Sequence, residues 1–175
     1  MPVYDQYSDE QLVAAAGDDD LGAWEAFLRR QGQRLLAFYT RMTGDEELSR
    51  ELWVRSCNEL WKQRATLARG GKVVTAVFSL ATRLCAKTAS PAPQRSPKGD
   101  PSSLESRSAG LRQALLGIPV RTRAALCLCY FDNVGFREAE RCLGAAPGEA
   151  RQLCAEGYAD LIRALGPAFM NNGLA

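Results

Sequence analysis

The amino-acid sequence predicts an all-α fold, and two patterns support that prediction. Apolar residues recur at steps of three and four along most of the 175 residues, which places them on one face of successive helices. No stretch alternates apolar and polar residues with the period of two that a half-buried strand shows. The hydrophobic fraction of 46% is ordinary for a globular protein, so the helices have apolar surface enough to form a core.

The N-terminal half is expected to form one short and three long helices. Ser8 and Gln11 form a capping-box pattern, which opens the short helix. Gly44 breaks the first long helix, and Asp45 is placed to cap the next. The three long helices are expected over residues 24–42, 45–63 and 72–87.

A loop-forming stretch separates this half from the rest of the chain. Residues 89–103 read ASPAPQRSPKGDPSS, and four prolines among so few apolar residues cannot form a core. We therefore expect two small helical domains joined by a flexible Pro/Ser-rich linker. The expected boundaries are a domain over 1–88, a linker over 89–110, a domain over 111–166 and a tail over 167–175.

The second domain is expected to be a four-helix unit that contains a helix-turn-helix. Its helices are expected over residues 111–118, 121–130, 136–143 and 147–165. The stretch FREAERCLGAAPGEARQL, residues 136–153, is an amphipathic run, a turn at Leu143-Gly144 and a second run that starts at Pro147. That order is typical of a helix-turn-helix.

Charge is distributed unevenly along the chain, although the net charge is only +2. Residues 1–28 carry seven acids and no base, and Asp18 to Asp20 are expected to favour the start of the next helix through its dipole. Residues 29–87 carry twelve bases and five acids. A cationic segment of this size favours nucleic acid or an acidic protein surface as a partner, and a solvated helix face is the open alternative.

Several classes of function find no support in the residues. The chain has no histidine, no phosphate-binding glycine loop and no CxxC pair, so neither an enzyme nor a metal or cofactor site is expected. The six cysteines are interpreted as small buried hydrophobes. No run approaches the ~20 apolar residues that span a bilayer, and the acidic N-terminus is unlike a signal peptide. A cytoplasmic protein without membrane insertion is therefore expected.

From about Ser8 to Leu165 the order of these features resembles the extracytoplasmic-function (ECF) sigma factors, which direct bacterial RNA polymerase to promoters. The stretches that carry the resemblance are SDEQLVAAAGDDDLGAWEAFLRRQGQRLLAFYTRMTGD and ALLGIPVRTRAALCLCYFDNVGFREAERCLGAAPGEARQL. The resemblance implies that residues 1–88 form a region-two-like domain for core polymerase and minus-ten DNA. It also implies that residues 111–166 form a region-four-like domain. The implied partners are core RNA polymerase, promoter DNA and an anti-sigma factor.

The resemblance implies that the helix 45–63 docks on core polymerase. Where the family has acid-leucine-valine-glutamine-glutamate, this chain has Glu51-Leu52-Trp53-Val54-Arg55, so the acid and the leucine are kept while Arg55 reverses a charge. Asn58 stands at a position that is apolar in the family. A reversed charge at a docking surface changes which partner surface is complementary to it. The implied contact set is Glu51, Leu52, Val54, Arg55 and Asn58.

DNA contacts are implied on two helices. On the helix 72–87, three cations are expected to hold the phosphates of melted promoter DNA, while Ala76 replaces a family tryptophan. On the second helix of the helix-turn-helix, Arg151 and Gln152 are expected to face base edges. Glu149, Leu153 and Glu140 replace a threonine, an arginine and an alanine of the family pattern. The expected phosphate contacts are Lys72, Arg83, Lys87, Arg121, Arg123 and Arg137. A helical unit that binds no DNA is the open alternative.

Two functions are consistent with the sequence, and neither involves catalysis. The first is an alternative sigma factor that binds core RNA polymerase and directs promoter recognition and transcription initiation. The second is a sigma-like regulatory or interaction protein that has lost initiation and binds polymerase or another regulator. The second is favoured by the changes at Arg55, Ala76, Glu149 and Leu153, which fall on separate working surfaces.

Overall fold

A computed structural model describes residues 4–70, 72–88 and 104–166 of the chain. Within these ranges the chain forms α-helices and no strand, which confirms the predicted all-α class. No helix in the described ranges is long and apolar enough to cross a membrane. The helices are α1 (Asp9–Gly17), α2 (Leu21–Thr43), α3 (Glu46–Gly70), α4 (Val73–Thr88), α5 (Leu104–Gly117), α6 (Val120–Leu126), α7 (Phe136–Leu143) and α8 (Glu149–Leu165), and α6 continues into a π-helical turn (Cys127–Phe131).

The two predicted caps, at Ser8 and Asp45, are confirmed, and Asp20 forms a further one. The Ser8 hydroxyl accepts the Gln11 N–H at 3.2 Å, and the Gln11 side chain accepts the Ser8 N–H at 2.7 Å, so the capping box is complete. Asp20 caps α2 and Asp45 caps α3, because each carboxylate accepts backbone N–H groups of the first turn. The Ala23 N–H and the Tyr4 hydroxyl, which both donate to the Asp20 carboxylate, hold the pKa of Asp20 below its usual range.

Four of the predicted helix boundaries are wrong. Helix α2 begins at Leu21, three residues before the predicted start, because Asp20 caps the helix there. Helix α3 continues to Gly70 instead of ending near residue 63, because the added residues are good helix formers and Leu67 among them is buried against the core. Helix α5 begins at Leu104, inside the predicted linker 89–110. Helix α8 begins at Glu149, two residues later than predicted, because Gly148 has φ +88°, which no helical residue adopts. Residues 89–103 of the predicted linker and the tail 167–175 lie outside the described residues.

Both halves of the chain contribute side chains to one hydrophobic cluster. Helix α4 packs against α7, while α2 contacts α5, α6 and the π-helical turn. The cluster includes Phe38 and Phe78 from the first half, whose ring centroids lie 5.5 Å apart, together with Leu128 and Cys154 from the second. The halves that were expected as separate domains therefore lie against each other in this structure.

Arg123 is the largest fully buried side chain, and it joins the two halves. Its guanidinium donates to the carbonyl oxygen of Met42 at the end of α2, and also to the carbonyls of Leu116 at 2.7 Å and Ile118 at 3.0 Å. Burial lowers the pKa of this guanidinium, and Nε has no hydrogen-bond partner in the described part of the chain. Because the Arg123 side chain is fully buried, the predicted phosphate contact is not accessible in this conformation and stays a prediction for one in which the halves are apart.

Asp132 forms a second polar link between the halves. Its carboxylate accepts a hydrogen bond from Arg41 at 2.9 Å, and its carbonyl oxygen accepts one from Arg34 at 3.1 Å. The Arg41 guanidinium also stacks on the Phe131 ring, 4.7 Å from the centroid. Burial raises the pKa of Asp132 in spite of Arg41, because the carboxylate has lost most of its hydration.

The crossing of α6 and α8 depends on Gly157. A Cβ at this position would lie 2.6 Å from Leu126 Cδ1 and 2.8 Å from Thr122 Cγ2. An alanine inside a helix normally stabilises it by about 1 kcal/mol relative to glycine. We expect Gly157→Ala to do the opposite and to lower the free energy of unfolding by about 1–2 kcal/mol, measured by urea denaturation.

A helical glycine with more space around its Cα provides the control for this measurement. Gly32 lies inside α2, and a Cβ there would lie 3.4 Å from the Trp53 ring, an ordinary contact distance. We expect Gly32→Ala to leave stability unchanged or to raise it slightly. Equal effects of the two substitutions would contradict the close crossing at Gly157.

Candidate functional site

The outward face of α3 carries most of the predicted polymerase contacts. Glu51, Val54, Arg55 and Asn58 recur at steps of three and four, and all four are exposed. Leu52 points the other way and is fully buried in the core. Leu52 therefore positions the helix and is not available to a partner in this conformation.

A cationic groove lies between α3 and α4. It has a volume of about 400 Å³ and eight lining residues, four from each helix. Arg55, Asn58 and Lys62 line it from α3, and Arg83 and Lys87 line it from α4. The structure thus brings two of the predicted phosphate contacts together with two of the predicted polymerase contacts.

Two features of this groove were not predicted from the sequence. Lys62 was missed, although its step of seven residues from Arg55 places both on one helix face. Lys72, which was predicted to act with Arg83 and Lys87, lies eleven residues before Arg83, which is about 16 Å along a helix. Lys72 is exposed but does not line the groove.

The opposite face of α4 is covered by α7. The Thr82 hydroxyl donates to the Cys142 carbonyl oxygen at 2.9 Å, and the Cys142 thiol donates to the Thr75 carbonyl oxygen at 3.5 Å. Ala76 is half-buried and packs on the core. In this arrangement a ligand reaches α4 from the side of the groove.

Helices α7 and α8 form the predicted pair joined by a turn. Gly144 ends α7 with φ +57° and Gly148 precedes α8 with φ +88°, conformations that favour glycine. Arg151 and Gln152 are exposed in the first turns of α8, and Arg137 is exposed on α7. Both α8 residues have internal partners, since Arg151 lies over the Phe136 ring at 5.3 Å and Gln152 donates to Glu156 at 3.0 Å.

Two carboxylates occupy the start of α8. Glu140 accepts the Gly148 N–H at 2.6 Å, and Glu149 accepts the Ala146 N–H at 2.8 Å. Glu149 also pairs with Arg121 at 2.8 Å. A DNA phosphate at this helix start would need free N–H groups and the same guanidinium. The chain's own carboxylates therefore occupy two N–H groups just before α8 and the Arg121 guanidinium.

Four of the six cysteines are buried, as their interpretation as small hydrophobes predicts, while Cys57 and Cys129 are half-buried. Burial raises the pKa of the Cys127 thiol to about 12 and that of Cys57 to about 11, so both stay protonated at neutral pH. No cluster of three or more potential ligand side chains that could hold a metal ion exists among the described residues.

Neither a protein-family model nor a curated protein matches this chain. The candidate surfaces are therefore interpreted from their own residues: the exposed face of α3, the groove between α3 and α4, and the start of α8.

Proposed function

We propose that the chain is an alternative sigma factor, which binds core RNA polymerase and directs promoter recognition and transcription initiation. The observation that supports this proposal best is the exposed face of α3, where Glu51, Val54, Arg55 and Asn58 present a continuous surface. Val54 is 57% exposed and places an aliphatic side chain among these polar groups. A protein contact combines an apolar centre with a polar rim, and this face of α3 offers both.

Promoter recognition is assigned to the turn and second helix of the α7–α8 pair. Arg151 is exposed near the start of α8 and carries the guanidinium fork that pairs with guanine edges or with phosphate. Gln152 beside it pairs with adenine edges, and Arg137 on α7 supplies a phosphate contact. Their weak internal contacts, a ring and a carboxylate at the surface, are exchangeable for DNA.

The second candidate function is a sigma-like regulatory protein that binds polymerase or another regulator without initiating transcription. The observation in its favour is the pair of carboxylates, Glu140 and Glu149, at the start of α8. They repel phosphate, and Glu149 also holds Arg121. Both candidates share the α3 surface and differ in whether α8 reads DNA.

Recovery on immobilised core RNA polymerase tests the shared part of the proposal. We expect the wild-type protein to bind, and we expect Val54→Asp to weaken binding roughly tenfold, because a charge replaces an apolar contact. Leu21→Asp on α2 is the matched control, since Leu21 is 65% exposed and lies away from the α3 face. Failure of the wild-type protein to bind core polymerase would contradict the first candidate and would leave the second with another regulator as its partner.

Transcription in vitro with core polymerase and a genomic DNA library separates the two candidates. Initiation at defined sites that requires this protein supports the alternative sigma factor. Binding to core polymerase without any such initiation leaves the regulatory protein and excludes the first candidate.

A further inference from the structure

The groove between α3 and α4 has the chemistry of a binding site for an acidic protein segment. We propose that it receives an amphipathic, glutamate- or aspartate-rich segment of a partner protein, with carboxylates on the groove cations and an aliphatic side chain on the apolar part of the groove. The proposal rests on the groove itself and not on the proposed function. It reassigns Arg83 and Lys87, which the sequence had linked to DNA.

The charges of the groove are strongly unbalanced. Four cations, from Arg55, Lys62, Arg83 and Lys87, face one carboxylate, Glu59. Glu59 already pairs with Lys62 at 3.0 Å, so its charge is compensated within α3. The other three cations are exposed and form no ion pair with any residue in the described ranges. Three converging cations in a concave site create a positive potential that an external anion would lower.

The spacing of the cations suits an elongated ligand. On α3, Arg55 and Lys62 are seven residues apart, and on α4 Arg83 and Lys87 are four apart, so each pair follows its helix axis for one or two turns. The two rows flank the groove along its length. A ligand with carboxylates at helical spacing would meet cations on both sides at once.

Two aliphatic side chains add a small apolar part to the groove. Leu80 and Leu84 line it from α4 and are 5% and 7% exposed. A protein segment with one aliphatic side chain between its carboxylates would cover their exposed atoms and remove apolar surface from water. A phosphodiester backbone has no group to match them.

Two further observations favour a protein over nucleic acid. None of the eight described lining residues is aromatic, whereas single-stranded DNA sites combine cations with aromatic side chains on which bases stack. The volume of about 400 Å³ matches a few side chains, not the width of a duplex.

The stretch of this chain that comes after α4 is not a suitable occupant of the groove. Residues 88–110 carry three bases and two acids, so they do not supply the excess of carboxylates that the groove requires. The partner segment is therefore expected to come from another protein.

Fluorescence anisotropy with the full chain tests the proposal. The probe is a labelled amphipathic helical peptide of glutamate, leucine and alanine, and the comparison peptide has glutamine in place of every glutamate. We expect the acidic peptide to bind and the neutral peptide to bind at least about tenfold more weakly. We also expect the affinity to fall as salt rises, because exposed charges are screened.

Variants of the groove give the sharper result. Arg83→Glu with Lys87→Glu is expected to weaken peptide binding roughly tenfold, while Arg29→Glu, an exposed change of the same sign on α2, leaves it unchanged. Glu59→Gln removes the only carboxylate of the described lining and is expected to strengthen binding about twofold to fivefold. Misfolding cannot explain a gain of affinity for the acidic peptide. Glu59→Gln therefore tests the proposal even if the Arg83→Glu, Lys87→Glu variant is unstable.

Three outcomes would overturn the proposal. The first is equal binding of the acidic and neutral peptides. The second is tighter binding of an oligothymidine or duplex DNA of equal charge that is lost in the Arg83→Glu, Lys87→Glu variant, which would make the groove a nucleic-acid site. The third is self-association of the protein alone, seen by sedimentation and abolished by the same variant, which would make a second copy the occupant.

Discussion

Replacing Arg123 with alanine is expected to lower the free energy of unfolding by about 3–5 kcal/mol, a large share of the stability of a domain of this size. The substitution removes a fully buried side chain and leaves three backbone carbonyls, those of Met42, Leu116 and Ile118, without their donor. The lost volume adds a cavity to the lost hydrogen bonds. Urea denaturation followed by circular dichroism gives the change as a shift of the midpoint.

Arg121→Ala is the matched control for this experiment. Arg121 lies two residues earlier on the same helix, and its side chain is half exposed and pairs with Glu149. Its loss is expected to cost less than about 1 kcal/mol. Arg123→Lys retains the charge but offers no planar fork, and it should fall between the two. If Arg123→Ala is as mild as Arg121→Ala, the packing of α2 against α5 and α6 is not the one described.

Glu140→Gln combined with Glu149→Gln is expected to raise affinity for duplex DNA roughly tenfold at low salt. The two carboxylates lie where DNA phosphate would approach, and glutamine keeps an oxygen to accept the Gly148 and Ala146 N–H groups. The change also frees Arg121 from its ion pair. Two repulsive charges are removed and one cation is gained, so the salt dependence should steepen as well.

The control for the DNA measurement is Asp160→Asn. Asp160 lies on the same helix, eleven residues after Glu149 and about 16 Å along its axis, and pairs with Arg163 at 2.7 Å. It removes one negative charge away from the helix start, whereas the Glu140, Glu149 variant removes two. A gain in binding free energy of half the size in this control would mean that net charge alone matters. No gain in the Glu140, Glu149 variant would contradict the assignment of DNA reading to the start of α8.

The helices themselves were largely predictable because their signals are local. The Ser8 capping box, the Asp45 cap and the bounds of α7 lie where the sequence placed them. The errors have local causes too. Leu104 follows a run of prolines, so the good helix formers after it were counted with the linker, and the positive φ of Gly148 shortens α8 in a way that apolar spacing does not show.

Side-chain environment was less predictable because it depends on contacts between distant segments. Arg121 and Arg123 are two residues apart and chemically identical, yet one is exposed and the other is buried against Met42, 81 residues away. A helix turns by about 200° between such neighbours, and only the packing of the halves decides which one faces inward. The groove was unpredictable for the same reason, because the sequence does not show that Arg55 and Arg83 line one cavity.

The position of Arg123 has a kinetic consequence. Separation of the two halves would pass through a state in which the guanidinium has left the Met42 carbonyl and has not yet regained water. Such a state is high in free energy and forms a barrier between the closed and open forms. The two forms would therefore interconvert in discrete events and not by gradual hinge motion. A ligand that needs the halves apart would then bind at a rate that levels off at the rate of opening, however high its own concentration.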